Sequence, residues 1–350
     1  MVIKRNNRSI GLLKSHQNPD YLSRTILSDS VFDYVELWLS NHSSKQTSYS
    51  KALFYWKQSK YFYEASIKLP IDAQPLTAYY SCLNATKALL AIHNIDLDNI
   101  GHGVSASRIA TTGKITSDKI TFTGSGVLFQ LSKLLNESTV KQDYTIQDLL
   151  YNLPCIHRTF TISVPNLTEL FIPISNCQYE LTNPDNFRSH LYFQIDDKYT
   201  HPNMLKNIPV FFERTFLNDD CHVYFRVKKH FTWNKHDNIT ERFTELTNYH
   251  CKIRKYFHFI TSHQMLWYIK KDLPRNNHII DRSSLTIIYA VMHWLSELVR
   301  YNPCVFSNLM KSKHNWLLRE FMAKSLPQFI DEISSEITGA NIMCTGIRKV

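Results

Sequence analysis

The sequence predicts an α+β protein, a mostly helical body with a central antiparallel β-sheet insertion. Three observations point there: apolar residues at spacings of three and four on both flanks, a period-two block between Thr159 and Phe231, and only eight glycines in 350 residues. The expected division is an N-terminal helical region over 1–155, a β-rich insertion over 156–236, and a C-terminal helical region over 237–350 packing on the first. With 43% hydrophobic and 13% aromatic residues the chain can fill a large core, so disorder is not expected.

In the first 75 residues, amphipathic runs such as Ser30 to Leu39 predict short helices; Trp38, Trp56, Tyr61 and Tyr63 fall here, with serine spacers at Ser43, Ser44 and Ser48. Pro70 and Pro75 punctuate the entry to a longer helix. On that helix Ala78, Ser81, Ala85, Ala88 and Ile92 form a stripe of mostly small residues along which another helix can approach closely. Tyr80, Asn84 and Lys87 form a second, polar stripe. A Ser/Thr/Gly-rich stretch follows from Ser105 to Gly126, with a short strand expected over Lys119 to Thr123. Helical spacing resumes over Val127 to Leu135 and Thr145 to Tyr151, and Pro154 stops it.

From Thr159 the period becomes two. Phe160 to Val164, Glu169 to Ile174, Leu191 to Ile195, Val210 to Arg214 and His222 to Val227 read as strands, being rich in aromatic and β-branched residues. Turn clusters at Thr182 to Asn186 and Asn218 to Asp220 favour antiparallel pairing of about five strands. Beyond Asn238 helices return. Ser284 is placed to cap a helix whose apolar stripe is Leu285, Ile288, Met292, Leu295 and Val299, ended by Asn302-Pro303. A last helix runs from Trp316 through Phe321, Phe329, Ile333 and Ile337, with Gly339 as its C-terminal cap.

No uninterrupted apolar run approaches the roughly 20 residues that cross a bilayer, so no membrane association is expected. The N-terminus lacks the apolar core and cleavage site of a secretory signal, and the seven cysteines are scattered without Cys-x-x-Cys spacing. Both features imply reduced thiols and a cytoplasmic location, where Asn84-Ala-Thr86 would not meet glycosylation machinery. The formal net charge is +10. Residues 221–320 hold sixteen Lys/Arg against seven Asp/Glu, a balance of +9, so nearly all the excess lies there. Such a basic surface suits RNA or DNA, because neutralised phosphates release counterions; the plain alternative is solubility.

The order of elements, the run Ala78-Tyr-Tyr-Ser-Cys-Leu-Asn-Ala-Thr-Lys-Ala-Leu-Leu90, the pair His102-Gly103 and the late Leu298-Val-Arg-Tyr-Asn-Pro303 resemble the YaaC-like family over most of the chain. More remotely, the Ala78 to Gly103 segment looks like the helical core of HEPN domains, nucleotide-binding or RNA-cleaving modules of toxin and phage-defence systems. That resemblance implies a nucleic-acid-directed protein and a metal-independent, RNA-cleaving defence effector. HEPN ribonucleases also pair an Arg with a His further along the chain. The nearest pairs here, Arg226 with His230 and Arg254 with His258, have only three intervening residues and depart from that pattern.

The candidate catalytic residues are His293, Arg300 and His102. Tyr289, His293, Ser296 and Arg300 share a helical face, and a histidine near neutral pKa with an arginine for phosphate charge is the minimum that metal-independent phosphodiester cleavage needs. Glu297, four residues after His293, can instead simply pair with it. Tyr80, Asn84, Lys87, Tyr289 and Ser296 are further candidates for the same cleft, and each stripe also reads plainly as a solvated helix face. Lys228, Lys229, Lys252, Arg254 and Lys255 are candidate phosphate contacts with interleaved aromatics.

Gly101-His-Gly103-Val-Ser-Ala106 mimics a dinucleotide fingerprint, but a helix precedes it where a strand is required. Cys221, His222, His230, His236, His250 and Cys251 are the densest metal-type set, yet adjacent Cys-His neighbours cannot readily ligate one ion, so no metal and no cofactor is expected. No Gly-x-Ser-x-Gly elbow nominates a hydrolase. The rival to nucleic-acid chemistry is a non-catalytic module that binds a protein partner or forms a homo-oligomer.

Overall fold

The structure, a computed structural model, describes residues 1–43, 46–106, 114–183, 185, 187–216, 222–233, 238–262 and 266–343. In chain order its elements begin with β1 (Lys4–Arg5), β2 (Arg8–Ser9), β3 (Ile26–Leu27), α1 (Val31–Ser43), α2 (Thr47–Lys68) and α3 (Gln74–Ile92). They continue with β4 (Val104–Ala106), β5 (Lys119–Phe122), α4 (Val127–Leu134), β6 (Gln142–Thr145), α5 (Ile146–Tyr151) and α6 (His157–Ser163). Then follow β7 (Phe171–Asn183), β8 (Arg188–Ile195), α7 (Pro202–Leu205), β9 (Phe212–Thr215), β10 (Tyr224–Val227), β11 (Phe231–Thr232) and α8 (Ile239–Ile253). The last are β12 (Phe257–Ile260), β13 (Leu266–Lys270), α9 (Ser284–Tyr301), α10 (Pro303–Leu309), α11 (Asn315–Thr338) and β14 (Ile342–Met343). The α+β class read from the sequence is the observed one.

Two compact units share these elements. One is built from Met1–Ile26, Leu170–Asn277 and Gly339–Asn341, the other from Leu27–Glu169, His278–Thr338 and the residues from Ile342.

The first unit is a sheet of order β12-β13-β7-β8-β10-β9, with β11 also on β8. Neighbouring strands run antiparallel, for example with Phe225 opposite Phe193 and Trp267 opposite Ile174. On β8 the alternation puts Leu191, Phe193 and Ile195 into one core with Phe243, Leu246, Tyr249 and Ile253 of α8, whose spacing of three and four lays an apolar face on the sheet. The four later strands expected from the sequence are present, their limits trimmed or extended. Phe160 to Val164 is not a strand: residues to Ser163 form α6, packed on α11 and α5. Five alternating residues are too few for period to separate strand from helix, and packing decided. Conversely, Phe257 to Ile260 and Leu266 to Lys270 are strands where helices were expected.

The first 26 residues also join this unit, where short helices were expected. Val2 bridges Glu180, Gly11 bridges Gln178, and β1 pairs with β2. Arg254 holds them: it is 2% exposed, its Nε donates to the carbonyls of Leu13 (3.1 Å) and Lys14 (2.9 Å), and Nη1 donates to the Phe257 carbonyl. Its guanidinium lies 4.8 Å from the Trp267 ring centre.

In the second unit the small-residue stripe does what close approach requires. Ser81, Ala85 and Ala88 of α3 are fully buried, and at the α2–α3 crossing Ser59 Oγ donates to the Ser81 carbonyl (2.9 Å) while Ser81 Oγ donates to that of Ser59 (3.0 Å). Helix α9 packs on α3, α4, α5, α10 and α11, and its residues from Ser284 to Ser296 are all buried. It is therefore a core helix buried all round over that stretch, its polar Thr286, His293 and Ser296 included, and not one with a solvated stripe there. Ser283, one residue before the expected Ser284, caps it by accepting from Thr286 N–H.

Near its start, buried Arg282 donates to the Ser138 carbonyl (2.6 Å) and faces Glu137 at 3.3 Å, while Glu137 accepts from Ser283 N–H at 2.7 Å. Removing either partner would strand a buried charge, at a cost of about 3–5 kcal/mol.

The glycine pattern is structural. Gly103 (φ 81°) and Gly126 (φ 103°) lie in the left-handed region against one another, and a Cβ on Gly126 would collide with the Gly103 backbone. This contact seats Gly101 and His102 over the start of α4: their carbonyls accept from Val127 N–H (2.8 Å) and Leu128 N–H (3.1 Å). Among the described residues no helix is long and apolar enough to cross a membrane.

Candidate functional site

His102 meets α3 and α9 within the second unit. The loop just described fixes its backbone. Tyr79 on α3 brings its hydroxyl to 2.6 Å from His102 Nδ1, and the Tyr79 and Tyr289 hydroxyls lie 3.2 Å apart. Tyr289 on α9 donates to the His102 carbonyl at 3.1 Å. One turn later the His293 ring packs edge-on to Tyr79, with centroids 4.9 Å apart, and 5.5 Å from the His102 ring. Thus two histidines 191 positions apart in the chain share one site.

Their environments differ. His102 is exposed, and its Nε2 makes no hydrogen bond to the described residues. Even so, its ring loses part of its hydration against Tyr79 and His293. That burial first, then Arg300 and Lys87, hold its pKa below the ordinary histidine value. His293 is 2% exposed; burial, then His102 and Arg300, push its pKa down to about 3. Its Nδ1 has no hydrogen-bond partner among the described residues, and Glu297 Oε2 stands 3.9 Å away, beyond hydrogen-bond distance. The expected Glu297 pairing is therefore loose. Burial lifts the Tyr79 and Tyr289 hydroxyls above the ordinary phenol value, so both stay protonated.

The remaining candidates separate. Arg300 is exposed, with Nε donating to the Ser296 carbonyl at 3.4 Å. Ser296 is fully buried and its hydroxyl donates to the His293 carbonyl at 2.7 Å, so it faces no cleft. Tyr289 is also fully buried; its ring packs edge-on to Tyr79, with centroids 5.5 Å apart, and its hydroxyl reaches the His102 carbonyl. On the polar stripe of α3, Tyr80 stacks on Phe62 at 5.3 Å and Asn84 Nδ2 donates back to the Tyr80 carbonyl. Lys87 is half-buried, 5.4 Å from the Tyr55 ring centre, and burial, followed by Lys51, lowers its pKa. Of this stripe only Lys87 affects His102 electrostatically.

Sequence reasoning missed Tyr79. Its neighbour Tyr80 lay on a visible polar stripe, whereas Tyr79 sits on the buried face. The available signal was general: a tyrosine inside a core helix needs a partner for its hydroxyl.

In the first unit Lys228, Lys229, Lys252 and Lys255 are exposed. Arg254 and His258 are not: both are buried, Arg254 occupied by carbonyls, His258 with its pKa held well below the ordinary value by burial and then by Lys270 and Arg254. Arg254 is thereby removed from the phosphate-contact surface. An open groove of about 890 Å³ in this unit is lined in part by Arg5, Arg8 and Arg24, cations outside the basic stretch noted in the sequence. Among the described residues no three His, Cys, Asp or Glu side chains gather as a metal site, and Cys221 and His236 lie outside those residues.

No curated protein and no solved structure matches the chain. The family model described as YaaC-like Protein matches residues 16–337, in both flanks and the sheet between them. The chain belongs to the YaaC-like family.

Proposed function

We propose that this YaaC-like protein acts on RNA and cleaves its phosphodiester bonds without a metal, with His102 as general base. The observation that carries the reading is an exposed imidazole, kept neutral, with Nε2 unengaged and two cations close enough to lower its pKa. In the step, Nε2 takes the proton of a ribose 2′-hydroxyl, and the 2′-oxygen attacks the adjacent phosphorus. The bond from phosphorus to the 5′-oxygen breaks, that oxygen takes a proton from water, and His102 returns its own to solvent. The products are a 2′,3′-cyclic phosphate and a 5′-hydroxyl. Arg300 and Lys87 offset the charge that builds on the phosphoryl oxygens.

His293, buried behind Tyr79, moves from catalytic candidate to the wall of the site. RNA cleavage is also what the HEPN resemblance of Ala78 to Gly103 implies; separately, exposed Lys228, Lys229, Lys252 and Lys255 give the first unit cations of its own for phosphate.

The test is end-labelled RNA incubated with the protein and with His102→Gln, Arg300→Ala and His293→Ala. The expected result is cyclic-phosphate ends and about a 100-fold or greater loss in His102→Gln, the scale of general-base removal. A 2′-deoxy substitution at the cleaved position should block the reaction. Undiminished cleavage by His102→Gln removes the assignment.

A second reading, a self-association module, is favoured by Phe54 (60% exposed) and Tyr61 (58%), two turns apart on α2. A monomer at all concentrations in sedimentation would remove it.

A further inference from the structure

Only one arrangement of protons satisfies all three hydroxyl and imidazole contacts of the site. The His102 carbonyl only accepts, so the contact at 3.1 Å uses the one proton of Tyr289. The contact of 3.2 Å between the hydroxyls must then be made by the proton of Tyr79. With that proton committed, the 2.6 Å contact between Tyr79 and His102 requires a proton on Nδ1. The result is a closed ring: His102 Nδ1–H donates to Tyr79, Tyr79 to Tyr289, and Tyr289 to the His102 carbonyl. In the opposite tautomer Tyr79 would donate to Nδ1, and the single proton of Tyr289 could then close only one of its two contacts. Turned to the Tyr79 oxygen it leaves the His102 carbonyl to Leu128 N–H alone, and kept on the carbonyl it leaves two buried hydroxyl oxygens facing each other, so that arrangement makes one hydrogen bond fewer.

We infer that Tyr79 is a positioning residue which, together with Tyr289, holds neutral His102 as the Nδ1–H tautomer and leaves the lone pair on the unengaged Nε2. This rests on the reading of His102 as a base and deepens it, because only that tautomer presents a proton acceptor to a substrate. Among the described residues, the charged and titratable groups facing His102 are Tyr79 and Lys87 from α3, and Tyr289, His293 and Arg300 from α9. None of them is a carboxylate that could hold Nδ1–H in place of Tyr79. Tyr79 does not touch the reacting atoms; its effect passes through the ring it orients.

The inference is tested by nitrogen NMR on the full chain labelled with ¹⁵N-histidine, at a pH where His102 is neutral, with His102→Gln identifying its signals. The expected spectrum has a protonated, pyrrole-like Nδ1 and a pyridine-like Nε2. Tyr289→Phe frees the Tyr79 proton, so the spectrum should shift toward the opposite tautomer although Tyr79 is still present. Tyr79→Phe should abolish the preference, and thermal melts establish that each variant is folded. A pyridine-like Nδ1 in the parent protein, or signals unchanged in folded Tyr289→Phe, overturns the inference. No RNA enters the measurement, so the two ideas fail separately: the expected tautomer without cleavage retires the ribonuclease reading alone, and cleavage with the other tautomer retires the positioning role alone.

Discussion

His293 stands with its imidazole 2% exposed and its Nδ1 without a hydrogen-bond donor or acceptor among the described residues, so protonating it opposes folding. The folded pKa is about 3 against an ordinary value of 6.5. Between those values the unfolded chain binds the extra proton, hence stability rises with pH and is lost as pH falls below the unfolded value. Denaturant titrations at pH 7, 6 and 5 should therefore show the parent losing about 1.4 kcal/mol per pH unit more than His293→Gln below pH 6.5. Parallel slopes in the two proteins would contradict a buried neutral ring. At this scale the sequence exposed the residue types but not their roles. His293 and Arg300 could be placed on one helix turn by turn, and His102 flagged beside Gly103. That they meet depends on α3 and α9 crossing, a long-range contact with no local signature. Whether a polar stripe faces water or core is likewise decided by neighbours, which is why Ser296 and Arg254 were misplaced.

Elements with a strong local code were legible. Thr145 forms a capping box with Asp148 at the start of α5, and Gly339 (φ 72°) follows α11 as expected. The small-residue stripe of α3 was legible too, because spacing and side-chain size are both written in the chain. Its consequence is a seam with no spare volume where Ser59 and Ser81 exchange bonds. Ser81→Leu forces the helices apart and should cost about 1–3 kcal/mol, seen as a lowered denaturation midpoint, whereas Ser81→Ala should cost about 1 kcal/mol for the missing hydrogen bonds. Equal losses would mean that the seam has room. Short segments were the failures. Phe160 to Val164 alternates like a strand yet lies against α11, and β12 with β13 are five residues or fewer in a stretch whose charge is its more visible property.

For the whole molecule, the net charge of +10 makes any RNA contact a function of salt. Binding of a single-stranded RNA should weaken steeply between roughly 50 and 200 mM salt, and Lys228→Glu with Lys229→Glu should flatten the slope of log affinity against log salt by about 0.7 for each phosphate no longer neutralised. Affinity unchanged across that range would contradict a phosphate-dominated interface. The order of helices, strands and helices was visible in the chain, while the joining of residues 1–26 to the sheet was not, because isolated bridges such as Val2 with Glu180 leave no period to read. A map of tolerated substitutions over the whole protein would carry one trap. Positions 103 and 126 should stand out as intolerant beside His102, although neither has a side chain to offer a substrate. They should score alike for abundance and for activity, whereas a residue that touches substrate loses activity while the protein still accumulates. That divergence between the two scores, and not intolerance alone, is what would mark His102 in such a map.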